Sequence, residues 1–155
     1  MTKTGNHEPL VVIAIGGNSL ITDAEHMDVL DQYRAAGETA QHIVPIVEKG
    51  YRVVVTHGNG PQVGFILLRS ELARDVVHQV PLANCVADTQ GGIGMQIAQA
   101  LKNELRSQGK DKDVVAVITL VVVNESDPSF NKPSKPIGAF MREEDARAHA
   151  EKDGW

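Results

Sequence analysis

The stretch Val54-Val-Thr-His-Gly-Asn-Gly-Pro-Gln-Val-Gly64 decides the fold, because it passes from a buried strand through a glycine loop into a helix. The β-branched residues at 52–56 are typical of a strand, and Pro61 suits the first turn of a helix. The same order recurs at Leu10-Val-Val-Ile-Ala-Ile15, an apolar run that predicts a strand buried on both faces and leads into Gly16-Gly17. This alternation predicts an α/β fold with a mainly parallel sheet sandwiched by helices.

The rest of the chain continues the alternation. Apolar residues at spacings of three and four predict helices over about 23–49, 61–74, 86–107 and 142–152. Pro45 lies inside the first of them, so we expect a break or kink there, and Gly50 ends it. Residues 113–123 are the most strand-like of the chain, and residues 124–138 form a proline-rich ordered loop.

Composition narrows the classes of function. The 155 residues are 42% hydrophobic but only 4% aromatic, so the core must be aliphatic. A net charge of −5 argues against nucleic acid and against a membrane surface as partners. The single cysteine, Cys85, allows no intrachain disulfide, which fits the cytoplasm. No signal peptide or membrane-spanning run is present in the sequence.

Two glycine loops are the candidate site, since ligands gather at the carboxyl ends of parallel strands. Glycines allow successive backbone N–H groups to face an anion, although a Gly-Gly pair also suits a tight turn. The start of the helix after the second loop favours phosphate or carboxylate. We call residues 16–18 the first glycine loop and residues 58–60 the second glycine loop. The candidate substrate-binding residues are Gly16, Gly17, Asn18, Gly58, Asn59 and Gly60.

The second loop also allows a dinucleotide-binding interpretation, because Gly58, Gly60 and Gly64 have the spacing of that motif. Pro61 removes an N–H group that a pyrophosphate would need. No strand ending in Asp or Glu follows about 20 residues later to bind a ribose. A nucleotide-dependent oxidoreductase therefore remains an alternative function, although Pro61 and the missing acidic residue argue against it.

Two further motifs have open roles. Gln90-Gly-Gly-Ile-Gly94 places three glycines in a predicted helix, which costs up to about 1 kcal/mol each. Close packing against backbone would explain them, and so would a ligand loop or a dimer contact. Lys135 lies between two prolines that limit its backbone, so its ammonium group is either pre-placed for function or simply solvated.

Taken together, these motifs resemble the carbamate kinases, a branch of the amino acid kinase family. The resemblance rests on four stretches in one order: Val12-Ile-Ala-Ile-Gly-Gly-Asn-Ser-Leu20, the stretch 54–64, Gln90-Gly-Gly-Ile-Gly94 and Asn131-Lys-Pro-Ser-Lys-Pro-Ile-Gly138. It implies reversible phosphoryl transfer with Mg2+, in which ATP and carbamate give ADP and carbamoyl phosphate. In arginine catabolism such enzymes usually run toward ATP.

The resemblance also implies residue roles. Both glycine loops would cradle carbamate and the transferring phosphoryl group, and Lys135 would be catalytic on a protruding subdomain that covers the site. Many amino acid kinases carry a lysine just before the first glycines. Ala14 and Ile15 stand there in this sequence, which argues against an acetylglutamate or aspartate kinase.

Family members run to roughly twice this length, so the resemblance implies a division of parts. Residues 1–124 would form the substrate-binding core, and residues 125–155 would begin a lid that is cut partway. The nucleotide-binding half, with the metal site, would be absent, so that neither ATP nor Mg2+ binds tightly and the chain is inactive alone. A homodimer through the amino-terminal half is also implied. The alternative is a non-catalytic anion-binding or interaction protein derived from the kinase fold.

Overall fold

The computed structural model describes residues 8–21, 23, 25–137 and 141–153. Gly138, the last residue of the lysine motif, lies outside the described residues, as do residues 1–7 of the predicted core and residues 154–155 of the predicted lid. The elements are β1 (Leu10–Ile15), α1 (Val29–Glu48), β2 (Arg52–His57), α2 (Gly60–Leu72), α3 (Leu82–Ser107) and α4 (Glu143–Asp153). Short 3-10 helices lie at Gly17–Leu20 and Pro128–Phe130.

The strands β1 and β2 pair in parallel, as the sequence predicts. Their register runs from Leu10 opposite Arg52 to Ile15 opposite His57. Because the two strands end at the same level, the glycine loops that follow leave the sheet side by side. The pairing of the strands therefore determines where the candidate site lies.

Helices cover one face of these strands. Ile13, Ile15 and Val55 point toward α1 and α3, whereas Leu10 and Val12 on the opposite face are 53% and 62% exposed. The prediction that β1 is buried on both faces is therefore confirmed for one face only within the described residues. The core is aliphatic, as predicted; its buried members are Ile15, Leu20, Ala36, Ala40, Ile43, Val44, Ile93, Ile97, Leu101 and Leu105.

The prediction of a strand at 113–123 is wrong. We call these residues the extended segment; it pairs with no strand among the described residues. Its largest side chains are solvent-exposed, with Leu120 at 94% and Val122 at 100%. High β propensity does not make a strand where no neighbouring backbone supplies hydrogen bonds, and here the segment stands apart from β2.

A cavity separates the extended segment from the sheet. Its volume is about 510 Å³, and its walls come from β2, α1, α3 and residues 112–119. Most of its lining is aliphatic, including Val44, Val53 and Leu101. Neither glycine loop lines this cavity, so it is distinct from the candidate site.

The bounds of the helices differ from the prediction for local reasons. The first helix begins at Val29 rather than near residue 23, because the carboxylate of Asp28 accepts a hydrogen bond from the Asp31 N–H at 2.8 Å and caps it. That bond also lowers the pKa of Asp28. Pro45 does not break the helix, since it lies in the last turns and costs one internal bond. Gly50 ends the helix with a φ of +86°, as expected.

The third helix begins earlier than predicted. It starts at Leu82, directly after Pro81, rather than near residue 86, so residues 82–85 add one turn to the predicted helix. This extra turn carries Cys85 into the core, where it is completely buried. A proline before the first turn fits a helix start, and this signal was available in the sequence.

We expect Leu20→Ala to lower the free energy of unfolding by about 2–5 kcal/mol. Leu20 ends the 3-10 helix after the first glycine loop and has no exposed surface, so its removal leaves a cavity. Urea unfolding followed by circular dichroism measures this. The matched control is Leu72→Ala, at a side chain that is 78% exposed, which should change stability by less than about 0.5 kcal/mol. Equal effects of the two variants would contradict the described core.

Candidate functional site

The two glycine loops touch through their backbones. A Cβ atom added to Gly17 would lie 2.9 Å from the backbone nitrogen of Asn59, and one added to Gly58 would lie 2.7 Å from the nitrogen of Gly17. The Gly58 N–H donates to the carbonyl of Ile15 at 2.8 Å, which joins the end of β1 to the second loop. Neither position has room for a side chain, so the contact itself requires glycine.

Unpaired backbone donors lie where the loops meet. Within the described residues, the backbone N–H groups of Asn59, Gly60 and Gln62 donate to no protein acceptor. They lie at the amino-terminal end of α2, where the helix dipole favours negative charge. A Cβ added to Gly60 would meet nothing within 4 Å, so there is open space beside these donors. The arrangement is suited to bind an anion.

A buried glutamine braces the first loop. The Nε2 atom of Gln62 lies 3.4 Å from both the carbonyl of Gly17 and the Oε1 atom of Gln32. The Nε2 of Gln32 donates in turn to the carbonyl of Met27 at 3.2 Å. The Oε1 of Gln62 is buried and has no hydrogen-bond partner in the part of the chain that the structure describes. Sequence analysis missed this role, although Gln62 lies inside the motif that decides the fold.

The side chain of Asn59 is held by α3. Its Nδ2 donates to the Oγ1 of Thr89 at 2.8 Å, and the Thr89 hydroxyl donates to the carbonyl of Val86 at 2.7 Å. Thr89 is only 3% exposed. Sequence analysis also missed Thr89, whose position directly before Gln90-Gly91 is the one signal that could have found it.

The structure brings together most of the predicted site residues. Gly16, Gly17, Gly58, Asn59 and Gly60 lie at the contact between the loops, and the backbone of Asn18 continues from Gly17 in the 3-10 helix. Lys135 is not among them. It is exposed, and within the described residues no hydrogen bond or ion pair joins it to either loop.

The glycine-rich part of α3 packs against the extended segment. A Cβ added to Gly94 would come within 3.1 Å of the Cβ of Ala116, whereas Gly91 and Gly92 have open space around them. The side chain of Gln90 accepts from the Thr119 N–H at 2.7 Å and approaches the carbonyl of the same residue at 3.4 Å. Close packing therefore explains Gly94, and the other two glycines keep no assigned role.

Groups for other chemistry are missing from the part of the chain that the structure describes. No cluster of three His, Cys, Asp or Glu residues there could hold a metal ion, and the glycine loops carry no carboxylate. These residues therefore do not fit Mg2+. Burial raises the pKa of the Cys85 thiol, which opposes a nucleophilic role. No helix among the described residues is long and apolar enough to span a membrane.

Known proteins resemble this chain over most of its length. The model of the amino acid kinase family matches residues 9–133. The chain belongs to the amino acid kinase family. It is 50% identical over 134 residues to a carbamate kinase-like protein, YahI, of Escherichia coli, covering 85% of this chain and 42% of that protein. It is 43% identical over 150 residues to the carbamate kinase of Pyrococcus furiosus, covering 94% of this chain and 47% of that enzyme.

A solved relative has the same fold. The carbamate kinase of Giardia lamblia bound to AMP-PNP superimposes with a TM-score of 0.84 at 35% identity, over 96% of this chain and 47% of that one. The amino acid kinase fold predicted from the sequence is therefore confirmed. The chain spans about half the length of the curated relatives it matches, consistent with the amino-terminal half of a carbamate kinase.

We expect Gly58→Ala to destabilise the protein by about 1–3 kcal/mol, because the new methyl group would overlap the backbone of Gly17. Gly60→Ala is the matched control, since its methyl group would enter open space and should change stability by less than about 0.5 kcal/mol. Urea unfolding of both variants measures the difference. A Gly58→Ala variant as stable as the control would contradict the contact between the loops.

Proposed function

We propose that this chain forms the carbamate side of a carbamate kinase. It would bind carbamate and carbamoyl phosphate at the two glycine loops, within an enzyme that transfers a phosphoryl group reversibly between ATP and carbamate. The observation that carries the proposal is the contact between the loops, with unpaired N–H groups of Asn59 and Gly60 beside open space. The relatives named carbamate kinase support this choice of substrate.

The proposed roles follow the chemistry of phosphoryl transfer, which needs positioned donors and positive charge rather than a nucleophilic side chain. The N–H groups of the loops would hold the carboxylate-like end of carbamate and the oxygen atoms of the phosphoryl group. Gln62 would keep the first loop at the correct distance from the second. Lys135 would supply positive charge, brought to the loops by a lid that begins near residue 125.

The glycine loops contain no cation of their own within the described residues. The charge of the transferring group must therefore be balanced from elsewhere, and we assign ATP and Mg2+ binding to the remainder of a full-length enzyme. The Giardia carbamate kinase bound to AMP-PNP supports an adenine nucleotide as the phosphoryl donor there. By this assignment the 155-residue chain alone does not catalyse the transfer.

The proposal extends to location and assembly. An acidic chain with a single cysteine suits the cytoplasm, with small anions rather than nucleic acids or membranes as partners. We also propose a homodimer formed through this part of the enzyme. Exposed apolar residues on the face of β1 and β2 that the helices leave uncovered support a protein–protein interface there. They include Leu10, Val12 and Val54.

We expect carbamoyl phosphate to shift the amide NMR signals of Gly17, Asn59 and Gly60 in the 155-residue chain. Gly60→Ala should weaken binding at least about tenfold, because its methyl group fills the space where the anion would lie. Wild-type protein with the same concentration of sodium chloride is the control for ionic strength. If carbamoyl phosphate leaves these amides unchanged, the substrate-binding proposal fails.

The same chain should make no ATP from ADP, Mg2+ and carbamoyl phosphate in a coupled assay. ATP formation would contradict the assignment of the nucleotide site to other residues. Binding of carbamoyl phosphate and sulfate with equal affinity, together with no transfer, would favour the alternative of a non-catalytic anion-binding protein.

A further inference from the structure

The side chain of Asn59 departs from the usual role of an asparagine at the start of a helix, which is to cap it. Asn59 is the N-cap residue of α2, where an asparagine oxygen usually accepts a hydrogen bond from the second or third N–H of the helix. Among the described residues, no such bond is present at this helix start. The amide group is instead turned toward α3, where its Nδ2 donates to Thr89.

The geometry of Thr89 explains the direction of the amide group. The hydroxyl proton of Thr89 is committed to the carbonyl of Val86 at 2.7 Å, so the oxygen is left to accept. It can therefore hold the NH2 end of Asn59 but not the oxygen end. Because Thr89 is almost completely buried, its hydroxyl cannot turn to water instead.

The helix start leaves a single N–H group that Asn59 could cap. The first helical residue is Gly60, the second is Pro61 with no N–H, and the third is Gln62. A capping asparagine would thus occupy the N–H of Gln62, which is one of the unpaired donors of the site. Capping of α2 and binding of an anion compete for the same atom.

We infer that Thr89 is a positioning residue that holds the Asn59 side chain away from the α2 helix start and so keeps the Gln62 N–H free for the substrate anion. This inference rests on the proposed function, because it concerns the same carbamoyl phosphate site. It goes beyond that proposal by giving α3 a part in substrate binding. It also assigns Asn59 two roles: its backbone N–H faces the anion, and its side chain is held against α3, away from the Gln62 N–H.

The test compares Thr89→Val with Thr89→Ser in the 155-residue chain. Valine has the shape of threonine without the hydroxyl, so the amide of Asn59 loses its partner and turns to cap Gln62. We expect slower hydrogen exchange at the Gln62 amide and a dissociation constant for carbamoyl phosphate about fivefold higher, the usual size of a cap. Thr89→Ser retains the hydroxyl and should behave like the wild type in both measurements.

A double variant separates this role from general damage to the fold. In Asn59→Ala there is no side chain to cap the helix, so adding Thr89→Val should change neither the exchange at Gln62 nor the affinity any further. A merely structural role for Thr89 predicts a different result: faster exchange across α3, lower stability in urea, and the same loss of affinity in either background.

The outcomes distinguish the two proposals. If wild-type protein binds carbamoyl phosphate and Thr89→Val leaves both affinity and Gln62 exchange unchanged, the role of Thr89 is overturned and the proposed function stands. If wild-type protein does not bind, the proposed function fails. The exchange at Gln62 then still decides whether Thr89 controls the Asn59 side chain.

Discussion

The backbone contact between Gly17 and Gly58 is the constraint on which the site depends. It follows from the parallel register of β1 and β2, which ends both strands at one level and sends two loops out side by side. At 2.7 Å from a Cβ to a backbone nitrogen there is no room for any residue but glycine. The contact therefore places the first glycine loop directly against the second, which carries the unpaired N–H groups of Asn59 and Gly60.

The third helix, α3, connects the second glycine loop to the extended segment. Thr89 in this helix contacts Asn59 of the second glycine loop. Gln90 and Gly94 are four residues apart on one face of the helix, and both contact the extended segment, at Thr119 and Ala116. A loop is held in a precise position only when packed elements support it, and here the support for the second glycine loop comes from a helix far along the sequence.

The sequence was sufficient for the parts of the fold set by local pattern. Apolar runs ending in glycine identified β1 and β2, and the glycine loops were found because strand ends gather ligands. The sequence was insufficient where contacts with neighbouring elements decide the structure. Residues 113–123 have the local pattern of a strand but pair with no strand among the described residues. The role of Thr89 depends on the packing of α3 against the second loop, which its place beside the glycine-rich motif only hints at. Lys135 remains a prediction, since its role depends on a lid that local pattern cannot position.

The exposed extended segment has a consequence for the behaviour of the chain in solution. Val121, Val122 and Val123 form an uncharged β-branched run whose backbone makes no hydrogen bond with the other described residues. Such a run favours intermolecular strand pairing, and the edge of β2, which no described strand covers, offers it a partner on a second molecule. The solubility of this acidic protein therefore depends on the balance between charge repulsion, which opposes association, and strand pairing of residues 121–123, which favours it. Added salt screens the charge repulsion but does not weaken the strand pairing, so salt promotes aggregation.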